Sequence, residues 1–326
     1  MENTLNTSEV TSLFNSYLGN SMAVGVTTYF IKTAEDPQVI SVLETALDVA
    51  IFNTQEAKKL LNQFGHPSPE VFTDEDIDFK APALYKDNVI LFVKYILAQD
   101  AGPIYSVSFS ESTSYDVRQY YLASLTKTSH FMNELVGLME QRGLFHPKIS
   151  VPVPESIGKV RKQSFVGGWL SGDRPLNTAE ITQLVTNHRN LELQHEFLRS
   201  FAQVTSSKEL KEHYKRGEKI AKKQMGIFQS LLQAYNLPNF PTWENEITDS
   251  TVAPFSERIM LYKLSVFVAA TVSRYGTSLG TIMRKDIGVD FSRLMAETAL
   301  YGEDTLNLMI KYGFLDEFPM AKVLPK

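Results

Sequence analysis

The sequence contains an internal repeat, and this repeat constrains the fold more than any other feature. The segments Leu5–Leu13 and Leu176–Leu184 are identical at six of their nine positions. A second matching pair, Gly143 and Gly313, follows 170 residues apart, each at the end of a helical pattern. The chain is therefore predicted to contain two copies of one structural unit.

Each copy opens with the same helix-start signal. Asn6 is followed three residues later by Glu9, and Asn177 is followed in the same way by Glu180. The side chain of an asparagine before a helix accepts a hydrogen bond from an unpaired backbone N–H. The glutamate side chain in turn accepts a hydrogen bond from the backbone N–H of the asparagine. We expect a helix to begin directly after each asparagine.

Apolar residues spaced three and four apart predict four helices in each copy. The first and third connections are short, so the helices that they join are predicted to be antiparallel. The second connection is long and proline-bearing in both copies, and it can cross the height of a bundle to leave helices two and three parallel. The predicted fold is all-α, with two tandem four-helix bundles of ferritin-like type and a long second crossover in each.

The predicted domain limits are residues 1–146 for the first bundle, 147–175 for a linker and 176–326 for the second bundle. The linker begins with Pro147, Pro152 and Pro154, which favour extended backbone, and continues into a glycine-rich stretch. We expect a short helical turn over Lys159–Lys162. We also expect Phe165 and Trp169 to pack at the junction between the two bundles.

Composition excludes several classes of protein. A net charge of −5 gives no reason to expect a nucleic-acid partner. The absence of cysteine excludes disulfides, thiolate metal sites and cysteine nucleophiles.

The longest apolar run, Leu264–Val272, is too short to cross a bilayer, and the N-terminus lacks the pattern of a signal peptide. We expect a cytoplasmic protein with no membrane span.

Di-metal four-helix bundles carry inward-facing carboxylates and Glu-x-x-His pairs on their helices. This ligand set is incomplete here, because the third helix of each copy has no carboxylate in its middle. The central positions instead hold Asn53, Thr128, Gln224 and Thr298, which we expect to hydrogen-bond across the core. An enzyme of the di-iron class is therefore disfavoured, and no resident cofactor is expected.

The first helix of the second copy nevertheless carries a polar cluster that the first copy lacks. Glu192 and His195 have the i, i+3 spacing of metal ligands, and Glu218 on the next helix is placed to approach them. This pattern predicts a site for a single divalent metal ion or a small ligand in the second bundle. The alternative is a His/Glu pair that satisfies itself. Further residues considered for the cluster are His188, Glu297 and Glu303.

Three segments resemble a family of Bacillus-type spore formers with two tandem ferritin-like domains, similar to F-type spore coat proteins. They read SFVGGWLSGDRPLNTAEI, TWENEITDSTVAPFSERIM and RLMAETALYGEDTLNLMIKYGFLDEFP. The resemblance implies the fold and a link to the spore or its coat, and it carries no catalytic motif. The leading hypothesis is thus a non-enzymatic structural or interaction protein, with protein partners or self-association. The alternative is the metal- or ligand-binding protein.

Overall fold

A computed structural model describes residues 4–145, 148–168, 174–238, 240 and 242–321. These residues form eight α-helices joined by turns and irregular segments, so the all-α class is confirmed. Among the described residues, no helix is long and apolar enough to cross a membrane. The helices are α1 (Thr7–Thr33), α2 (Pro37–Gln63), α3 (Asp87–Glu111), α4 (Tyr115–Gln141), α5 (Thr178–Val204), α6 (Lys208–Gln233), α7 (Glu257–Thr281) and α8 (Lys285–Tyr312).

The chain folds into two compact units, each built around four helices. The first unit comprises the chain up to Gln141, the segment Val252–Ile259 and the residues from Met309 onward. The second unit comprises Arg142–Thr251 and Met260–Leu308. Two stretches of the second half of the sequence thus belong to the first unit. The domain limits 1–146, 147–175 and 176–326 stay a prediction.

Both predicted capping boxes are confirmed. In the first unit, the Glu9 backbone N–H donates to Asn6 Oδ1 and the Asn6 N–H donates to Glu9 Oε2, both at 2.8 Å. In the second unit, the corresponding bonds between Glu180 and Asn177 measure 2.9 and 3.0 Å. The local sequence therefore determines where α1 and α5 begin.

The capping glutamates have a second role that joins distant parts of the chain. Glu9 Oε1 accepts 2.7 Å bonds from the backbone N–H groups of Thr113 and Ser114, just before α4. Glu180 Oε1 accepts a 3.1 Å bond from the Arg284 N–H, just before α8. Both glutamates are fully buried. In each unit, one carboxylate therefore holds the starts of the first and fourth helices together.

The predicted crossover topology is confirmed in the first unit. The Asp36 N–H at the start of α2 donates to Asp87 at the start of α3 (2.8 Å), and Asn53 in mid-α2 donates to the Tyr105 hydroxyl of α3 (3.1 Å). Two contacts in the same order along both helices show that α2 and α3 run parallel. The segment between them passes over α1, where the Tyr29 hydroxyl donates to the Pro82 carbonyl (2.7 Å).

The second unit repeats this arrangement. Asn187 on α5 donates to Ser278 on α7 (2.9 Å), and Thr271 donates to Gln194 (3.2 Å). Because the order of these contacts reverses along the two helices, α5 and α7 are antiparallel. The short α5–α6 connection makes α5 and α6 antiparallel too, so α6 and α7 run parallel. Tandem bundles with a long second crossover are therefore established, while the assignment to the ferritin-like type stays a prediction.

The short turn of the linker lies later than predicted. Residues Lys159–Lys162 form no helical turn, and a 3₁₀ turn forms instead over Gln163–Val166. Arg174 stabilises this turn. Its Nε atom donates to the Phe165 carbonyl (2.6 Å), and its guanidinium group stacks over the Phe165 ring. Within the turn, the Phe165 N–H donates to the Lys162 carbonyl (3.1 Å). Trp169, predicted to pack at a junction, lies outside the described residues.

We expect Glu180→Gln to lower the free energy of unfolding by about 2–4 kcal/mol at pH 7, because the half-buried Arg174 guanidinium then loses its charged partner. Burial by itself would raise the pKa of Glu180, but the bonds from Arg174, Asn177 and Arg284 outweigh it and hold this pKa below its usual value. The stabilisation is therefore present above the unfolded-state pKa and is lost as the pH falls through the lower folded-state pKa. Urea unfolding followed by circular dichroism at neutral and acidic pH measures both effects.

The matched control is Glu212→Gln on the exposed face of α6, which we expect to change stability by less than about 0.5 kcal/mol. Equal effects of the two substitutions at pH 7 would contradict the capping role of Glu180.

Candidate functional site

The candidate site lies on α5, a helix that buries an unusual number of polar side chains. Glu192 is 6 % exposed, Glu196 is 3 % exposed and His188 is 8 % exposed. Burying an ionisable group is costly unless the group is paired or neutral. The environment of each of these side chains therefore decides what the site can do.

His195 connects two of the acidic residues. Its Nδ1 atom lies 3.1 Å from Glu196 Oε1, and its Nε2 atom lies 3.7 Å from Glu218 Oε1. Within the part of the chain that the structure describes, the buried Nε2 atom has no hydrogen-bond partner. The structure thus brings His195 and Glu218 close together, as the sequence suggested, and adds Glu196, whose spacing next to His195 carried no metal-site signal.

Glu192, the third predicted ligand, has a different environment. The pKa of Glu192 is raised to about 8, mainly by burial and in addition by the nearby Glu196 carboxylate, while the Arg189 charge offsets part of this increase. Its carboxyl group forms no hydrogen bond with the described residues, and at neutral pH it holds its proton. A carboxyl ligand to a metal ion must be ionised. The described residues contain no group of three or more His, Asp or Glu side chains arranged to hold a metal ion.

His188, one turn earlier on α5, is a neutral packing residue. Burial lowers the pKa of His188 to about 4, with a smaller contribution from the Arg189 charge. Its ring packs against Phe240, with 4.6 Å between the ring centroids. The sequence correctly predicted that His188 faces inward, but it carried no signal for the contact with the α6–α7 connection.

That connection covers the cluster. Arg199 donates from Nη2 to the Glu244 carbonyl (2.6 Å) and from Nε to Glu196 Oε2 (2.9 Å). Gln203, one turn further along α5, donates to the Thr248 carbonyl at 2.9 Å. The cluster therefore lies beneath the long crossover. Arg199 pairs with Glu196 and also binds the crossover through the Glu244 carbonyl.

Glu297 and Glu303 lie elsewhere. Glu297 accepts a 3.0 Å bond from Gln224 and pairs with Lys223, while Glu303 is exposed. At the same centre, the Tyr275 hydroxyl donates to Gln224 Oε1 (2.6 Å), and Gln224 Nε2 lies 3.2 Å from Thr298 Oγ1. The prediction that Gln224 and Thr298 hydrogen-bond across the core is confirmed.

An equivalent polar hub occupies the centre of the first unit. Asn53 donates to the Tyr105 hydroxyl at 3.1 Å and to Asn20 Oδ1 at 3.3 Å, and it accepts from the Ser124 hydroxyl at 2.7 Å. Thr128 departs from the prediction, since its buried hydroxyl has no partner among the described residues. In both units, a side-chain amide bonded to a tyrosine of the third helix fills the middle of the bundle.

We expect Glu192→Gln to become increasingly stabilising relative to the unmodified protein as the pH rises from about 5 to about 8. The folded protein keeps the Glu192 proton up to its raised pKa, while the unfolded chain loses it near the ordinary value. The unmodified protein alone therefore loses stability across this range, by on the order of 3 kcal/mol. Urea unfolding across the range, with Glu212→Gln as control, measures the difference, and a pH-independent difference would refute the raised pKa.

Part of this chain is similar to a protein of known structure. A candidate spore coat protein from Bacillus halodurans, known from a crystal structure, is similar to this chain with 17% identity and a TM-score of 0.40. The alignment covers 48% of this chain and 98% of that chain. Among curated proteins there is no significant match.

A family model matches the chain twice. The family is described as proteins of unknown function (DUF3231), and its model matches residues 1–156 and residues 164–325. The two matches correspond to the two copies that the repeated capping boxes delimit. Together they span nearly the whole sequence, and the chain therefore belongs to the DUF3231 family.

Proposed function

We propose that this chain is a non-enzymatic structural or interaction protein. The observation that carries the proposal is the content of the two bundle centres. Asn53 and Gln224 occupy the positions where bundles of this kind hold reactive groups, and each is engaged by neighbouring protein side chains. A saturated amide hub specifies packing and offers no nucleophile, general base or open ligand position.

Exposed apolar side chains support the interaction part of the proposal. On α8, Val289, Leu300 and Leu306 are 50%, 65% and 44% exposed. Their sequence separations place them within roughly one third of the helix circumference. A stripe of large apolar side chains on an outer helix face is typical of a surface that meets another protein.

Association with the spore or its coat is the finer part of the proposal. It is supported by the sequence segments that resemble the family of tandem domains from spore formers. A structural role would suit two bundles whose interiors are devoted to packing.

To test this proposal, the location of the protein is determined during sporulation of the organism that encodes it. We expect it in the coat extract of purified spores, and we expect Tyr105→Phe and Tyr275→Phe to be extracted in the same way. Each of these changes removes one hub hydroxyl with little change in shape, so it would impair a reaction centred on the hub but not a structural role. Absence from sporulating cells, or loss of spore association in a folded hub variant, would contradict the proposal.

A second candidate function is the binding of a single divalent metal ion or small ligand at Glu192, His195 and Glu218. It is favoured by one observation, the buried His195 Nε2 atom, which lacks a hydrogen-bond partner among the described residues and lies 3.7 Å from Glu218. The neutral form of Glu192 weighs against this candidate at neutral pH.

Metal analysis of untagged protein, with zinc titration by calorimetry, decides this second candidate. If the site exists, His195→Ala loses the metal, while His130→Ala at an exposed histidine of α4 retains it. Absence of metal and of zinc binding in the unmodified protein would eliminate the candidate.

A further inference from the structure

The linker between the two family matches contains a long stretch of chain that is open to solvent. Every residue from Val151 to Ser164 is exposed, and the exposed fraction reaches 94% at Val153 and 87% at Ile157. Within the described chain, residues 150–161 take part in no backbone hydrogen bond. The backbone of this stretch is therefore available to pair with another molecule.

The end of this stretch carries three basic residues in a favourable setting. Lys159, Arg161 and Lys162 are exposed, none of them lies in a helix, and none of them is followed by proline. Endopeptidases bind their substrates as extended strands through main-chain hydrogen bonds, with side chains entering pockets. At Lys159 and Arg161, a protease with an acidic pocket for Lys or Arg finds an exposed basic side chain and a backbone that forms no backbone hydrogen bond with the described residues, so it needs no local unfolding.

We propose that residues 159–162 are a processing site for an endopeptidase of the trypsin class. The protease would hydrolyse the peptide bond after Lys159 or Arg161, since the Lys162 carbonyl already accepts a bond from the Phe165 N–H (3.1 Å) in the turn that follows. Water adds across that bond to give a new carboxylate and a new amino terminus. The cut falls between residues 156 and 164, so each product keeps one complete family match.

The cut would not separate the products, because the first unit contains residues from both sides of it. Val252–Ile259 follows the cut in sequence, yet it belongs to the first unit. There, the Asp78 N–H donates to the Pro254 carbonyl (2.9 Å) and the Ser256 N–H donates to the Asp76 carbonyl (2.8 Å). Processing would convert a single chain into a stable complex of two chains.

The Phe255 side chain strengthens this attachment. Its ring lies edge-on to Tyr29, with 5.3 Å between the centroids, and close to Phe30. Arg258 stacks on the Phe72 ring at 4.5 Å. These contacts bury aromatic area from the C-terminal product against α1 and its covering segment, and they do not depend on the linker bonds being intact.

Lys80 offers a comparison within the same chain. It is also exposed, but it sits in a turn in which its own N–H donates to Asp78 Oδ1 (2.9 Å) and the Ala81 N–H donates to the Asp78 carbonyl (3.1 Å). Ala81 is buried. A protease would have to unfold this turn, so exposure alone does not make a cleavage site.

Limited trypsin digestion of the folded full-length protein tests the proposal, with mass spectrometry of the products and native size-exclusion chromatography. We expect the first cut after Lys159 or Arg161, and we expect both products to elute together at the volume of the intact protein. Lys159→Gln/Arg161→Gln/Lys162→Gln should slow the first cut by at least about tenfold. Lys80→Gln should leave its rate unchanged.

Two results would overturn the proposal. A first cut at another position would show that the linker is protected in solution, and separate elution of the products would show that the contacts of Val252–Ile259 do not hold them together. Circular dichroism of both variants confirms that a changed rate reflects the cleavage site and not loss of the fold.

Discussion

Each helical unit depends on one buried carboxylate that serves two helix starts. Glu9 and Glu180 each complete a capping box on their own helix and accept bonds from backbone N–H groups just before the fourth helix. The unpaired N–H groups and the positive end of the helix dipole make a helix start favourable for negative charge. Two such starts facing one carboxylate offset the cost of burying it. The relative position of the first and fourth helices follows from this interaction.

The two units share this frame but differ along the first helix. Under the crossover, the first unit has Gly25, where an added Cβ atom would come within 3.0 Å of Ile77. The corresponding residue of α5 is Glu196, which is accommodated by Arg199 and His195. At this position, the first unit thus has a glycine next to Ile77, whereas the second unit has an ionisable side chain with two ionisable neighbours. Glu192 meets the cost of burial by keeping its proton, and Glu196 meets it by pairing with Arg199.

Much of the fold could be predicted because its determinants are local. The capping boxes place the helix starts, and helices α2, α4 and α8 end before glycines with positive φ, namely Gly65, Gly143 and Gly313. Connection length determined which helices run parallel. For the candidate site, the sequence could predict only which side of its helix each residue occupies, because helical spacing does not identify the partner of a side chain. Glu297 is an example: it was considered for the cluster on α5, but it bonds to Gln224 at the centre of the bundle.

The sequence by itself determined the duplication, the helical class and the starts of α1 and α5, and it drew attention to the polar cluster of α5. These features arise from backbone chemistry and periodicity within a few residues. Only the tertiary structure decided that Val252–Ile259 belongs to the first unit, that the crossover fastens onto Arg199, and that Glu192 is neutral. Each of these depends on contacts between residues far apart in the chain and on the exclusion of water around them. The charge state of a buried carboxyl group depends on the partners that surround it, and the assembled core supplies these to Glu180 but not to Glu192.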